Sequence, residues 1–141
     1  SEQACCICMM DLDNFKQVND AYGHPGGDQV LQATTRFLNS SLRKYDSVFR
    51  YGGEEFLLCL PSTTLDDAKA MMERLRGELE TLAIELKGKG SIRISASFGL
   101  AMMNPDEHVG GTIEQADHAL LCAKANGRNN VCVWSLTPAK I

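Results

Sequence analysis

The sequence predicts an α/β fold of the α+β kind: a mixed central sheet that contains a β-hairpin and is flanked by helices. Three observations predict it. Short apolar runs of strand length recur between longer stretches of helical periodicity. Their order reads β-α-α-β-β-α-β-α-β, which a sheet covered by helices satisfies. Two of the strands are separated only by Gly52-Gly53, so part of the sheet is antiparallel and an all-parallel, doubly wound sheet is excluded.

The elements follow in order. Residues 4–10 form a continuous apolar run, the pattern of a strand covered on both faces. Asp11-Leu12-Asp13 ends it, and a short helix is expected over about 14–22 with Asp13 as N-cap. Gly23-His24-Pro25-Gly26-Gly27 breaks the chain before a long helix over about 28–44, whose apolar face holds Val30, Leu31, Phe37, Leu38 and Leu42. Residues 46–51 and 54–60 make the hairpin, with positive φ expected at its glycine centre. A helix over about 65–82 presents Ala68, Met71, Met72, Leu75 and Leu79. Gly88-Lys89-Gly90 is a turn, 91–101 a strand, 104–111 a loop and 112–125 a helix ended by Asn126-Gly127. Residues 131–134 are a last strand.

A length of 141 residues suits one domain with one core. At 44% hydrophobic and 23% charged the composition is that of an ordinary globular protein. A net charge of −4 argues against duplex nucleic acid or an anionic membrane as the main partner, while leaving room for a local phosphate pocket. No apolar run approaches the ~20 residues of a membrane span. Ser1-Glu2-Gln3 lacks the basic and apolar regions of a secretory signal and reads as a cut edge. No second cysteine pair lies at zinc-site distance from Cys5-Cys6-Ile7-Cys8, so buried, reduced thiols are expected rather than a metal or redox site.

Asp11 and Asp13 stand just past a buried strand, a position that suits a cleft rim. Alone, Asp-x-Asp supports no more than a helix cap and a solvated carboxylate. Glu54 and Glu55 are unusual at the start of an apolar strand. Strand alternation sets them on opposite faces, so at most one shares a site with Asp11. Two carboxylates converging from adjacent strands suit a hard cation such as Mg²⁺ that arrives with phosphates. Gly52 and Gly53 leave the hairpin tip without side chains, open to a base or a phosphate. Lys16 follows the acidic pair by a helical turn. Lys124 and Arg128 fit either a helix-dipole contact or a clamp on a polyphosphate. Arg43 and Asp46, three apart, read by themselves as a helix-end ion pair.

In combination these residues resemble one family, the GGDEF domains of diguanylate cyclases. The similarity rests on residues 11–20 (Asp-Leu-Asp-Asn-Phe-Lys-Gln-Val-Asn-Asp), 23–28 (Gly-His-Pro-Gly-Gly-Asp) and 50–56 (Arg-Tyr-Gly-Gly-Glu-Glu-Phe), a GGEEF variant. It continues through Ser97-Phe98-Gly99, residues 116–120 and residues 123–129, in family order over nearly the whole chain. The resemblance implies a fold like the palm of adenylyl cyclases and polymerases. It implies one GGDEF domain over 1–141, without the helix and Thr-Gly-Leu-x-Asn-Arg stretch that usually precede it. It also implies that two GTP give cyclic di-GMP and two pyrophosphates.

Carried over by position, Asp11, the Leu12 carbonyl and Glu54 would hold Mg²⁺, with Mn²⁺ as a substitute. Glu54 would also accept the proton of the attacking 3′-hydroxyl. Asn19 and Asp28 would read guanine, with His24 nearby. Lys16, Lys124 and Arg128 would neutralise phosphates, and Gly52 and Gly53 would admit the nucleotide. The acceptor-only Asp28 favours GTP over ATP. Each domain carries residues for one GTP, so a homodimer is expected to be the active form. Arg43 and Asp46 stand at the family's inhibitory-site spacing, with Arg74 as a secondary contact to cyclic di-GMP. Leu121 and Asn14 depart from the family's usual larger residues, at positions that are not ligands. The domain is expected to face the cytoplasm, whether or not the whole protein is membrane-anchored. The alternative is a module that binds GTP or cyclic di-GMP as a receptor without turnover; the intact Glu54 and Glu55 favour the enzyme.

Overall fold

A computed structural model of the chain describes residues 4–135. Five strands form the main sheet: β1 (Cys5–Leu12), β2 (Ser47–Arg50), β3 (Glu55–Pro61), β6 (Ala96–Met102) and β7 (Val131–Val133). Their spatial order is β2-β3-β1-β6-β7. Every neighbouring pair is antiparallel except β6 and β7, which run parallel. The mixed sheet is thus as expected, and β1 at its centre explains the unbroken apolar run. Alternate side chains of β1 go to two different cores. Cys6, Cys8, Met10 and Leu12 join one built with α1 (Phe15–Ser41) and α2 (Leu65–Thr81). Ile7 and Met9 join a second with Ala116 and Leu120 of α3 (Val109–Ala125) on the opposite face.

The glycine at position 99 fixes the second layer. A Cβ there would lie 2.2 Å from both the Ala116 carbonyl oxygen and the Leu120 nitrogen. The α3 backbone therefore rides directly on β6, and this close approach sets the height of the helix that carries Lys124. Arg128 follows α3 in the turn before β7.

Several elements differ from the sequence expectation, each for a local reason. The two N-terminal helices are broken at a non-helical Gly23 (φ 73°, ψ 173°), as expected, but the second starts well before residue 28, so the two run on as α1 without a loop between them. Pro25 falls where a new first turn needs no N–H, so helix resumes at once. Residue 14, not 13, is the N-cap of α1; Asn14 adopts the left-handed conformation (φ 56°) and its side chain makes no cap bond. The expected strand over 91–101 is two strands. Short β5 (Gly90–Ile92) pairs with β4 (Ile84–Leu86) in a separate hairpin, and β6 starts at Ala96. Helix α3 begins at Val109, earlier than Thr112, because His108 Nδ1 accepts the Gly110 N–H at 3.1 Å.

The hairpin of β2 and β3 is wider than a two-residue turn. Arg50 pairs with Phe56, and neither Gly52 nor Gly53 has positive φ. The Glu55 carbonyl accepts from Tyr51 N at 2.8 Å and Gly52 N at 3.3 Å. Arg50 donates to the Gly53 carbonyl through Nε (3.0 Å) and Nη2 (2.6 Å). The thiols are free, as expected, with Cys6 and Cys8 buried; Cys122 departs from that pattern and is exposed on α3.

Candidate functional site

The end of β1 is where the chemistry gathers. Because Ile7 and Met9 face α3, the same parity turns Asp11 toward α3 as well. There Lys124, in the last turn of the helix, donates to Asp11 Oδ2 at 2.6 Å. The Asp11 residue is only 5% exposed. Burial pushes its carboxyl up from the ordinary carboxylate range. Lys124 pulls it back by hydrogen bond and charge, and nearby Glu54 and Asp13 add to the rise.

Directly across the β1–β3 ladder stands Glu55, the register partner of Asp11. Opposite residues of an antiparallel pair share a face, so Glu55 lies on the Asp11 side. Its carboxyl is also raised, first by burial, then by Asp11 and Asp117, against a lowering by Lys124. Glu54 precedes the strand and meets β1 through its carbonyl, which accepts from Leu12 N at 3.2 Å. Because Glu54 lies outside the strand, alternation does not bind it; its charge reaches Asp11, so both glutamates neighbour Asp11 where at most one was expected. Glu55 and Asp117 were absent from the candidate site residues. Glu55 is identified by the register of β1 on β3, which the order of the strands in sequence does not give. No sequence spacing points to Asp117.

The donor set fits a hard cation: carboxylates, with the Leu12 carbonyl at the strand end. Among the described residues no three metal-ligating side chains form a cage by themselves. A cation here would complete its coordination with water and phosphate oxygens.

The glycines of the hairpin are not required by the chain itself. A Cβ on Gly53 would meet nothing within 4 Å, and one on Gly52 would make only ordinary contacts, the nearest at 3.8 Å. Neither position has the positive φ that demands glycine. The tip is bare without an internal reason.

Asn19 is half-buried on the first segment of α1 and lies against Gly27, where a Cβ would come 1.9 Å from its Oδ1. That contact sets Asn19 beside Gly27, the residue before Asp28. Asp28 is exposed and lines a pocket of about 410 Å³ with Leu31, Gln32, Thr35, Arg36 and Arg50. Lys16, His24 and Arg128 are exposed, and Arg128 adopts a left-handed backbone (φ 63°).

At the far end of α1, Arg43 grips Asp46 with two bonds, Nε to Oδ2 at 2.9 Å and Nη2 to Oδ1 at 2.8 Å. Its guanidinium lies 4.7 Å from the Tyr45 ring centroid and donates to Thr63 Oγ1 at 2.6 Å. Arg74 is not brought into this cluster; among the described residues its partner is Glu78, at 3.0 Å on the exposed face of α2.

Comparison with known proteins identifies the family and the fold. The family model described as "Diguanylate cyclase, GGDEF domain" matches residues 1–130. Diguanylate cyclase A of Treponema denticola is 40% identical over 131 residues, covering 92% of this chain and 35% of its own length. Diguanylate cyclase DgcM of Escherichia coli is 42% identical over 125 residues, covering 89% and 30%. The chain thus spans about a third of these relatives. Among solved structures, diguanylate cyclase SiaD of Pseudomonas aeruginosa, crystallised with its activator SiaC, superposes with a TM-score of 0.88 at 44% identity, covering 93% of this chain and 50% of that one. The GGDEF domain of DgcB from Caulobacter crescentus, in complex with c-di-GMP, gives 0.87 at 30% identity, covering 92% and 77%. With the family model matched over residues 1–130, the chain belongs to the GGDEF domain family of diguanylate cyclases.

Proposed function

We propose that this domain binds GTP with Mg²⁺ and, facing a second copy, condenses two GTP into cyclic di-GMP. Each 3′-oxygen forms a bond to the other nucleotide's α-phosphorus, the bond from that phosphorus to the β-phosphate bridging oxygen breaks, and two pyrophosphates leave. The observation that carries the reading is the buried Asp11 carboxylate, paired with Lys124 and crowded by Glu54 and Glu55 beside a hairpin tip bare of side chains. Asp11, Glu54 and the Leu12 carbonyl would hold the metal, with Mn²⁺ able to replace Mg²⁺. A cation so held would neutralise the charge of the transferring phosphoryl group.

The chain's own residues then have defined tasks. Glu54 accepts the proton of the attacking 3′-hydroxyl. Lys16, Lys124 and Arg128 offset phosphate charge. Asn19 and Asp28 receive the guanine edge, Asp28 accepting from its N1–H and amino group, with His24 alongside. Gly52 and Gly53 let the nucleotide approach the backbone. One domain presents one set of these groups, which is why a homodimer is the proposed active state. Arg43 and Asp46 are proposed to bind cyclic di-GMP as a feedback inhibitor. Their preformed fork and the Tyr45 stack leave a guanidinium already oriented for guanine or phosphate. Arg74 is the secondary contact of that site, reached once its exposed pair with Glu78 opens.

Among the described residues no helix is long and apolar enough to cross a membrane. Independently of that, the proposed partners are GTP, cyclic di-GMP and a second copy, the net charge of −4 weighs against membrane or nucleic-acid contact by this domain, and the proposed setting is the cytoplasm, where GTP is available. The test is incubation with GTP and Mg²⁺, with the domain fused to a constitutive dimer, followed by chromatography for cyclic di-GMP. Product is expected, and Glu54→Gln should abolish it. GTP binding without product would support the receptor reading instead.

A further inference from the structure

Asp13 does none of the work its place in Asp-x-Asp suggests. It does not cap α1, and its carboxylate is spent on donors from two other segments. Oδ1 accepts from Ser97 Oγ at 2.6 Å; Oδ2 accepts from Ser95 Oγ at 2.7 Å and from the Asn129 backbone N–H at 3.0 Å. The Asn129 N–H is shared with Ser97 Oγ at 3.1 Å, and Asp13 N donates to the Ser95 carbonyl at 2.9 Å. With Asp13 only 6% exposed, this is a buried, satisfied network joining the end of β1, the entry to β6 and the turn after α3.

That turn holds a costly conformation. Arg128 (φ 63°) and Asn129 (φ 49°) are successive left-handed residues, and neither is glycine. Such a pair persists only where the surroundings impose it. Arg128 N closes the end of α3 on the Ala123 carbonyl at 3.0 Å. The Asn129 side chain is tied to Arg76 and Glu80 of α2. The charge-assisted bond from Asn129 N to Asp13 fixes the backbone one residue beyond Arg128.

We propose that Asp13 is a positioning residue: it holds the Arg128–Asn129 turn left-handed and so aims Arg128 at the substrate's phosphates, without touching ligand itself. The inference rests on the reading of Arg128 as a phosphate contact. Release of the turn would let Arg128 return to an ordinary backbone conformation and swing its side chain away.

The test uses the whole chain and a double-mutant cycle. GTP affinity with Mg²⁺ is measured by calorimetry, and guanosine affinity by NMR titration, for Asp13→Ala, Arg128→Ala and the double variant. Asp13→Ala should weaken GTP binding by roughly tenfold, the scale of one charge-assisted contact, and leave guanosine binding unchanged. The double variant should be no weaker than Arg128→Ala alone. Additive losses, equal losses for GTP and guanosine, or unchanged GTP binding in Asp13→Ala overturn the positioning role and leave the phosphate reading standing. Unchanged GTP binding in Arg128→Ala overturns both. Ser95→Ala and Ser97→Ala each remove one donor to Asp13 and keep the test open if Asp13→Ala does not fold. Each should weaken GTP binding about threefold with guanosine unaffected; no change in either variant also overturns the proposal.

Discussion

Lys124 Nζ lies 2.6 Å from Asp11 Oδ2, a contact between residues 113 apart in sequence that joins the last turn of α3 to the end of the central strand. The pair is asymmetric: the Asp11 side chain is 7% exposed and that of Lys124 is 32% exposed. The carboxylate thus depends on the lysine more than the lysine depends on it.

Lys124→Met is accordingly expected to destabilise the nucleotide-free domain by about 1–3 kcal/mol, less than the full cost of an uncompensated buried charge because the site is partly open. Thermal denaturation without nucleotide or metal checks this. Lys124→Arg should recover most of the loss, and no loss in the Met variant would mean that solvent already screens Asp11.

Gly27→Ala is expected to displace Asn19, whose Oδ1 occupies the space a Cβ would need. If Asn19 reads guanine, the preference for GTP over ATP should fall by roughly tenfold or more, since a polar reader left out of place stops discriminating. Competitive nucleotide binding measures it; an unchanged ratio would remove Asn19 from the base pocket.

Alkaline pH should unfold the domain through its buried thiols. Burial raises Cys6 from an ordinary 9.0 to about 11, Cys5 likewise to about 11 with its neighbour Cys59 contributing, and pushes Cys8 up further still. A thiol raised in the folded state stabilises fully below its unfolded value and loses that contribution as pH rises through the folded one. Stability from denaturant titrations should therefore fall between about pH 9 and 11. A Cys6→Ala, Cys8→Ala variant should show a shallower fall. At neutral pH exposed Cys122 should react with a thiol reagent while Cys6 and Cys8 stay protected.

Arg43→Ala should weaken cyclic di-GMP binding by roughly tenfold or more, measured by calorimetry, and leave GTP binding by the single domain intact. The Asp46 side chain is fully buried against Arg43, so the variant should also lose stability and is best measured well below its melting temperature. Unchanged product affinity would refute the inhibitory site.

Much of this was legible because strong local patterns carry it. The unbroken apolar run of β1 reports burial on both faces, and the periodicities of α1 and α2 report one face each. The order of elements excluded an all-parallel sheet. What failed depended on geometry that residue types do not encode. The break at Gly23 is real, yet Pro25 restarts a helix sooner than the glycine-rich stretch suggests. Glycines at 52 and 53 look like a two-residue turn, yet the loop is longer; and it is the register of β1 on β3, which neither strand's residue types encode, that sets Glu55 opposite Asp11. Asp13 looks like a cap, and only the folded chain brings Ser95, Ser97 and Asn129 to it.

If each domain is half of an active site, as proposed, the decisive measurement is the rate of cyclic di-GMP formation per domain, from GTP and Mg²⁺, as the concentration of the unfused chain is raised. Product is expected, with a rate per domain that climbs with concentration toward a plateau as pairs form. A rate per domain independent of concentration while the chain stays monomeric, or no cyclic dinucleotide at any concentration with GTP still bound, would contradict the proposal.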